Sequence, residues 1–146
     1  MCKKKINLRK VIAIAICFAG IIMFSGCDDQ FTPKELSGTW VLDNGKFAIT
    51  FIDGKSAIFT QINSGGWLTL FNRGIIDIGS KKIKDIKQTG DLTWTCKELY
   101  YTFYTDTGIP TGETLWKKNT ITMNENGNTI FIEDKSVISI YFKLSE

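Results

Sequence analysis

The sequence predicts an all-β domain, an antiparallel up-and-down barrel of about eight to ten strands. From Ser37 onward, short segments alternate between apolar and polar residues, which is the period of a strand with one buried face. Turn-forming sequences separate these segments at spacings of roughly 8 to 12 residues. No segment after Ser37 repeats apolar residues at the helical spacing i, i+3, i+4 and i+7. The expected domain therefore consists of strands around a single core.

The expected turns contain Asn-Gly, Asp-Gly or a cluster of small polar residues, because these favour the positive φ angles of hairpin turns. Successive turns separate the expected strands WVL, FAITF, SAIF, WLTLF, ITM and TIFIE. The turns lie at 43–45 (DNG), 53–54 (DG), 63–66 (NSGG) and 126–128 (NGN). Pro110 falls in an expected loop, residues 106–112, where it interrupts no strand. All connections look short, so a meander is the simplest topology, and closing it into a barrel would remove exposed edges.

Alternation also predicts which side chains face the core. In the last strand, Ile138, Ile140, Phe142 and Leu144 share the expected inner face, with Ser139, Tyr141 and Lys143 opposite. The other expected inward sets are Phe47, Ile49 and Phe51; Leu92, Trp94 and Cys96; and Ile121 with Met123. Many of these side chains are bulky, and small barrels can be filled by their own side chains. The pattern therefore favours a filled interior.

The first 26 residues have the layout of a signal peptide that is removed from the mature protein. Five basic residues among the first ten precede an uncharged run of 14 residues at 11–24, and the small residues Ser25 and Gly26 follow. A membrane-spanning helix needs roughly 18 to 20 apolar residues, which this run does not reach. A retained membrane anchor is the alternative.

Residues 24–27, FSGC, are similar to the lipobox of bacterial lipoproteins, in which an apolar residue and two small residues precede Cys. The resemblance implies that Cys27 carries a thioether-linked diacylglycerol and, after cleavage, an acyl group on its new amino terminus. Several acyl chains hold a protein on a membrane firmly, whereas one chain holds it marginally. The alternative is an ordinary secreted protein in which Cys27 is a free thiol. The resemblance implies a location in the bacterial cell envelope and leaves the membrane and its face open.

The expected organisation is therefore a removed signal peptide (1–26), a lipidated Cys27 with a polar tether (27–36), and the barrel domain (37–146). Beyond residue 26 the chain has 13 basic and 15 acidic residues, because five of the 18 basic residues belong to the signal peptide. This net negative charge argues against nucleic acid as a partner.

The residue types that remain also exclude several chemistries. The chain contains no histidine, which removes Ser-His-Asp and Cys-His catalysis and the commonest metal ligand. Cys96 is the only cysteine after Cys27, so no intrachain disulfide is expected and no cysteine-based zinc site can form. Its place beside Trp94 in the alternation predicts an inert core thiol. The sequence predicts no metal, no cofactor and no enzymatic activity.

The first strand opens with residues 36–40, LSGTW, which resemble the Gly-x-Trp start of lipocalins and of small bacterial lipocalin-like domains. The resemblance implies an eight-stranded barrel in which Trp40 plugs one end and a cation from the last strand covers the Trp. In this sequence Lys143 is the residue available for that role. The family further implies binding of a small apolar or amphipathic ligand inside the barrel.

The predicted contacts for a ligand or partner are Tyr100, Tyr104 and Trp67. Alternation places Tyr100 and Tyr104 on the outward face of their strand, opposite Tyr101 and Phe103, and exposed tyrosines often mark binding surfaces. The basic stretch 81–87, KKIKDIK, has two interpretations, a patch for acidic lipids, glycans or a partner, or a solvated edge guarded by lysines.

Two sets of carboxylates, Glu133 with Asp134 and Glu98 with Asp106, lie at expected turns, where nothing fixes the separation that catalysis by a carboxylate pair requires.

Two functional hypotheses follow from the sequence. The first is a lipid-anchored barrel that binds a small apolar or amphipathic ligand, and the alternative is a surface interaction module with a filled barrel.

Overall fold

In the computed structural model, which describes residues 35–145, eight antiparallel strands follow each other in sequence order and close into a barrel. The prediction of an all-β up-and-down barrel is confirmed. Pairing of the first strand with the last closes the sheet, as in the register Trp40↔Lys143 and Leu42↔Tyr141. The elements are β1 (Gly38–Leu42), β2 (Phe47–Ile52), β3 (Ser56–Ile62), α1 (Gly65–Asn72), β4 (Lys81–Gly90), β5 (Thr93–Phe103), β6 (Pro110–Met123), β7 (Thr129–Glu133) and β8 (Ile138–Lys143). The signal peptide, Cys27 and most of the tether lie outside the described residues.

The turn chemistry explains the hairpins. Asp53 and Gly54, in the three-residue connection between β2 and β3, both have positive φ angles, 54° and 63°, as the central residues of a primed turn do. The Asp53 carboxylate accepts a bond from the Lys55 amide at 3.1 Å, which fixes the same turn. Turns at 43–46 and 124–128 also lie where the sequence predicts them. Pro110 is not in a loop but is the first residue of β6, a strand position that tolerates the missing amide donor.

The expected strand WLTLF is wrong, because these residues belong to the helix α1. The helix has eight residues, of which only Trp67 and Leu70 are buried. One pair of buried residues three positions apart is too short a pattern to indicate a helix in the sequence. Gly66 lets α1 approach β5 closely, since a Cβ there would lie 2.2 Å from the Tyr101 hydroxyl oxygen. Because α1 lies between β3 and β4, the connection between these two strands is long and spans residues 63–80. Within residues 35–145 no helix is both long enough and apolar enough to cross a membrane.

The core follows the predicted faces of β2, β5 and β6. Phe47, Ile49 and Phe51 are buried, and so are Trp94 with Cys96 and Ile121 with Met123. Leu36, the last residue of the expected tether, is also buried in this core. The alternation rule works here because each strand has one clearly more apolar face.

The predicted face of β8 is wrong. Tyr141 is fully buried, whereas Ile138 and Phe142 are 61% and 50% exposed. The pairing register explains the reversal, because Tyr141 lies opposite the buried Ile130 while Phe142 lies opposite Val41. Both faces of this strand carry large apolar groups, and a shift of one residue exchanges them. The neighbouring strands therefore decide the orientation of β8.

Trp40, the central residue of β1, lies under Lys143. The Lys143 ammonium is 5.6 Å from the Trp40 ring centroid, and the indole NH donates to the Ser37 carbonyl at 3.0 Å. Gly38 has a φ of +81°, and a Cβ there would lie 3.1 Å from Lys143 Cε. The expected cover of Trp40 by Lys143 is thus confirmed, and Gly38, with its positive φ and no side chain, leaves space for the lysine stem.

Replacement of Trp40 by alanine should lower the free energy of unfolding by about 3 to 5 kcal/mol, because it removes a fully buried aromatic side chain. Phe142→Ala is the matched control, since Phe142 is half exposed, and it should cost less than about 1 kcal/mol. Urea denaturation followed by circular dichroism measures both. Equal, small effects would show that Trp40 does not support the barrel.

Candidate functional site

An ion pair lies inside the barrel. The Lys82 ammonium is 2.9 Å from Glu98 Oε1, and both side chains are 3% exposed. Lys82 reaches the interior because the β3–β4 register passes from Ala57↔Ile83 to Ile58↔Lys81 and skips Lys82. Such a bulge re-aims the side chain of the extra residue. Glu98 faces inward by simple alternation, two residues after Cys96.

Three aromatic rings surround the Lys82 ammonium. Its Nζ lies 4.6 Å from the ring centroid of Trp67, 5.2 Å from that of Tyr100 and 5.7 Å from that of Phe47. The ammonium also donates to the Leu99 carbonyl. Burial lowers the pKa of Lys82, and the attraction of Glu98 opposes this shift. The rings and the carboxylate replace the water that the charge loses.

The second oxygen of Glu98 is held by two more side chains. Asn119 Nδ2 donates to Glu98 Oε2 at 2.6 Å and to the Tyr100 hydroxyl at 2.8 Å, and that hydroxyl donates to Glu98 Oε2 at 3.0 Å. Burial and then the Glu98 charge raise the pKa of Tyr100. We refer to Lys82, Glu98, Tyr100, Asn119 and Tyr141 as the interior polar cluster.

Two buried atoms of this cluster lack hydrogen-bond partners, Asn119 Oδ1 and the Tyr141 hydroxyl. Burial, and secondarily the nearby Glu98 carboxylate, raise the pKa of Tyr141, yet the two groups are not in hydrogen-bond geometry. An unpaired buried polar group costs about 1 to 3 kcal/mol. Both oxygens of Glu98 therefore have bonding partners, whereas Asn119 Oδ1 and the Tyr141 hydroxyl have none.

The cluster has little capacity for catalysis. Its carboxylate and ammonium neutralise each other, so neither is free to act as a base or an acid on a substrate. The adjacent thiol of Cys96 is buried, and burial together with the Glu98 charge raises its pKa to about 12. A thiol in this state is a poor nucleophile. Among residues 35–145, no group of three or more His, Cys, Asp or Glu side chains is placed to hold a metal ion.

Aromatic side chains fill the space next to the cluster. The Phe47 ring contacts Phe59 and Tyr141 edge to face, with centroids 5.4 and 5.9 Å apart. Trp67 continues the chain of rings, 5.1 Å from Phe59 and 4.8 Å from Tyr101. Because Trp67 comes from α1, the helix packs its indole onto the ring cluster inside the sheet. Edge-to-face contacts of this kind are specific as well as apolar.

A second candidate site is an open groove of about 1140 Å³ that we call the lysine groove. Residues of the β2–β3 turn, of β4, β5 and β6, and of the β7–β8 turn form it, and the groove also reaches the buried residues Ser56, Ile86, Cys96 and Asn119. Its charged residues are Lys55, Lys81, Lys84, Lys87, Lys97, Lys118 and Lys135, with Asp53, Asp85, Glu133 and Asp134. Seven cations against four carboxylates give the groove a positive charge.

The structure separates the residues predicted to contact a ligand or partner. The prediction that Tyr100 points outward is wrong, since its hydroxyl donates a hydrogen bond to the buried Glu98. Trp67 is buried in the ring cluster, whereas Tyr104 is 56% exposed beyond the end of β5. Cys27 lies outside the described residues. The contact role of these residues stays a prediction, and the structure does not bring Tyr104 together with the other two.

Sequence reasoning missed the interior polar cluster. Glu98 was expected at a turn near Asp106, but it lies inside β5, and the stretch 81–87 is not a sheet edge because β4 pairs on both sides. The missed signal is the alternation Trp94, Cys96, Glu98, which points a carboxylate into the core and so demands a buried cation. Nothing in the sequence identifies Lys82 as that cation, because the bulge is a property of the pairing.

Comparisons of this chain with protein-family models, with curated proteins and with solved structures find no match. The geometry of the described residues is therefore the basis for assigning a function.

Loss of the charge on one partner of the buried pair should destabilise the barrel strongly. Glu98→Gln leaves the Lys82 ammonium without a counter-charge and should cost about 3 to 5 kcal/mol, whereas adding Lys82→Met should restore most of that loss. The exposed pair Lys97–Asp85, with a 2.8 Å separation, is the control, and Asp85→Asn should have a much smaller effect. Urea denaturation of the four proteins compares their free energies of unfolding. A double variant no more stable than Glu98→Gln would contradict the assigned charge pairing.

Proposed function

We propose that this chain is a lipid-anchored, non-enzymatic interaction module of the bacterial cell envelope, with a barrel filled by its own side chains. The observation that carries the proposal is the occupation of the interior by contacting aromatic rings around a buried ion pair. Recognition then falls to the outer surface and the loops.

A barrel that carries a ligand needs an open interior, typically about 300 Å³ or more for a drug-sized molecule. Here Phe47, Phe59 and Trp67 contact one another where such a ligand would lie. An acyl chain entering this space would also have to displace rings from the Lys82 ammonium, which exposes a charge to an apolar ligand. The geometry thus favours the filled barrel over the carrier.

The membrane part of the proposal rests on the sequence. The order of basic residues, apolar run, small pair and Cys27 is similar to that of bacterial lipoproteins. The barrel follows after a short polar segment, so an acylated Cys27 would keep the domain close to the membrane surface. The non-enzymatic part rests on the mutual neutralisation of Lys82 and Glu98 and on the raised pKa of Cys96.

A fluorescent fatty-acid displacement assay on the unlipidated domain tests the filled interior. We expect no saturable binding by the wild-type domain. Phe59→Ala is the comparison variant, because removal of a fully buried ring opens an apolar cavity that should bind benzene in a separate titration without admitting a fatty acid. Micromolar fatty-acid binding by the wild type that is lost in Phe51→Trp would establish a carrier instead.

Replacement of Cys27 by alanine should abolish acylation and release the protein from membranes, because the proposed attachment atom is Cys27 Sγ. Metabolic labelling with an alkyne fatty acid, followed by membrane fractionation, measures both effects. Cys96→Ala is the matched control and should keep both label and membrane association, since its thiol is buried. Label retained on the Cys27→Ala protein would rule out the lipoprotein assignment.

A further inference from the structure

We propose that the lysine groove binds an acidic polysaccharide, a sugar chain that carries carboxylate, phosphate or sulfate groups. This inference rests on the proposed function, because it names the partner class of that interaction module. A row of lysines on three neighbouring strands supports this partner class.

Lys84, Lys97 and Lys118 lie in direct register across β4, β5 and β6. Like charges opposite each other destabilise a sheet, so this row is an energetic cost in the free protein. Asp85 offsets the charge of Lys97, because its carboxylate lies 2.8 Å from the Lys97 ammonium. In the part of the chain that the structure describes, neither Lys84 nor Lys118 is ion-paired to a carboxylate. An anionic ligand would remove the remaining repulsion.

The acidic residues of the groove offset only part of its positive charge, because four carboxylates face seven lysines, and three of these carboxylates also have local bonding roles. Asp134 Oδ1 accepts bonds from the Ser136 amide, the Ser136 hydroxyl and the Val137 amide. Asp53 fixes the β2–β3 turn, and Asp85 pairs with Lys97. The chain beyond residue 26 carries a net negative charge, so the positive charge is concentrated in this groove.

The mixed lining favours a polysaccharide over an anionic membrane. A membrane presents a flat, continuous negative surface, which the carboxylates of Glu133 and Asp134 at the groove would repel. A sugar chain has separate anionic groups with hydroxyls between them. Such a ligand can place its anions on the lysines while its hydroxyls bond to those carboxylates and to Thr95 and Thr120.

The shape of the site agrees with this occupant. The groove is open and has a volume of about 1140 Å³, larger than a single phosphate or monosaccharide requires. Lys84 is already oriented, since its Nζ lies 4.0 Å from the Trp116 ring centroid. An ammonium held over a ring loses less conformational freedom when it binds an anion.

The test measures fluorescence anisotropy of the unlipidated domain with labelled oligosaccharides of heparin and of polygalacturonate, with dextran as the neutral probe. We expect saturable binding of at least one anionic probe and none of dextran. Lys84→Gln/Lys118→Gln should weaken binding by roughly tenfold or more, because each lost cation contact is worth a large part of 1.4 kcal/mol. Lys84→Arg/Lys118→Arg should retain binding.

The matched control is Lys46→Gln/Lys117→Gln, which removes the same charge from exposed lysines that do not line the groove. This control should change the affinity less than about threefold. Equal weakening by both double variants would show non-specific charge attraction and overturn the site. Binding to phosphatidylglycerol vesicles that depends on Lys84 and Lys118, without polysaccharide binding, would overturn the occupant in favour of a membrane.

Absence of binding to either anionic probe would also overturn the inference. It would leave the filled barrel to be decided separately by the fatty-acid assay, in which Phe51→Trp reports on the ring-packed part of the interior. Conversely, a positive fatty-acid result would refute the filled barrel while leaving the groove to be decided by the lysine variants. Circular dichroism of each variant verifies folding, and exposed lysine substitutions are expected to preserve it.

Discussion

The Lys82–Glu98 ion pair is the constraint on which the rest of the barrel interior depends. Two charges in an apolar core are stable only when their geometry is good and their remaining hydrogen-bonding groups are occupied. Each neighbouring feature meets part of that requirement. The bulge in β4 brings Lys82 inward, Asn119 and Tyr100 occupy the second oxygen of Glu98, and Trp67 covers the ammonium. The helix α1 thus supplies a ring that the sheet alone does not provide.

The interior and the outer face of the sheet differ in how their charges are paired. Inside the barrel Lys82 and Glu98 are paired with each other, and aromatic rings pack beside them. The outer face is different, because lysines stand in register where a sheet would normally alternate charge. The repulsion between these lysines does not stabilise the fold, and an anionic ligand would reduce it. The interior charges differ, because Lys82 and Glu98 are already paired with each other.

The sequence predicted the features that depend on local chemistry. Asp53-Gly54 predicts a hairpin from its own φ preferences, and Phe47, Ile49 and Phe51 predict a buried face from their spacing. It failed where neighbours decide. The orientation of Tyr141 follows from the register with β1 and β7, and the inward position of Lys82 follows from a skipped residue in the β3–β4 pairing. The sequence did not predict the helix α1, because one buried pair, Trp67 and Leu70, is too short a pattern to reveal helical spacing.

The pairing of β1 with β8 has a consequence for synthesis of the protein. The other strand pairs join sequence neighbours, but Trp40 and Lys143 are roughly a hundred residues apart, the kind of contact that slows folding. The barrel cannot close until β8 has left the ribosome. Until then, the growing chain has two unpaired strand edges, and Trp40 lacks the lysine that covers it. Early termination within β8 would therefore yield an open, aggregation-prone meander and not a slightly shortened barrel.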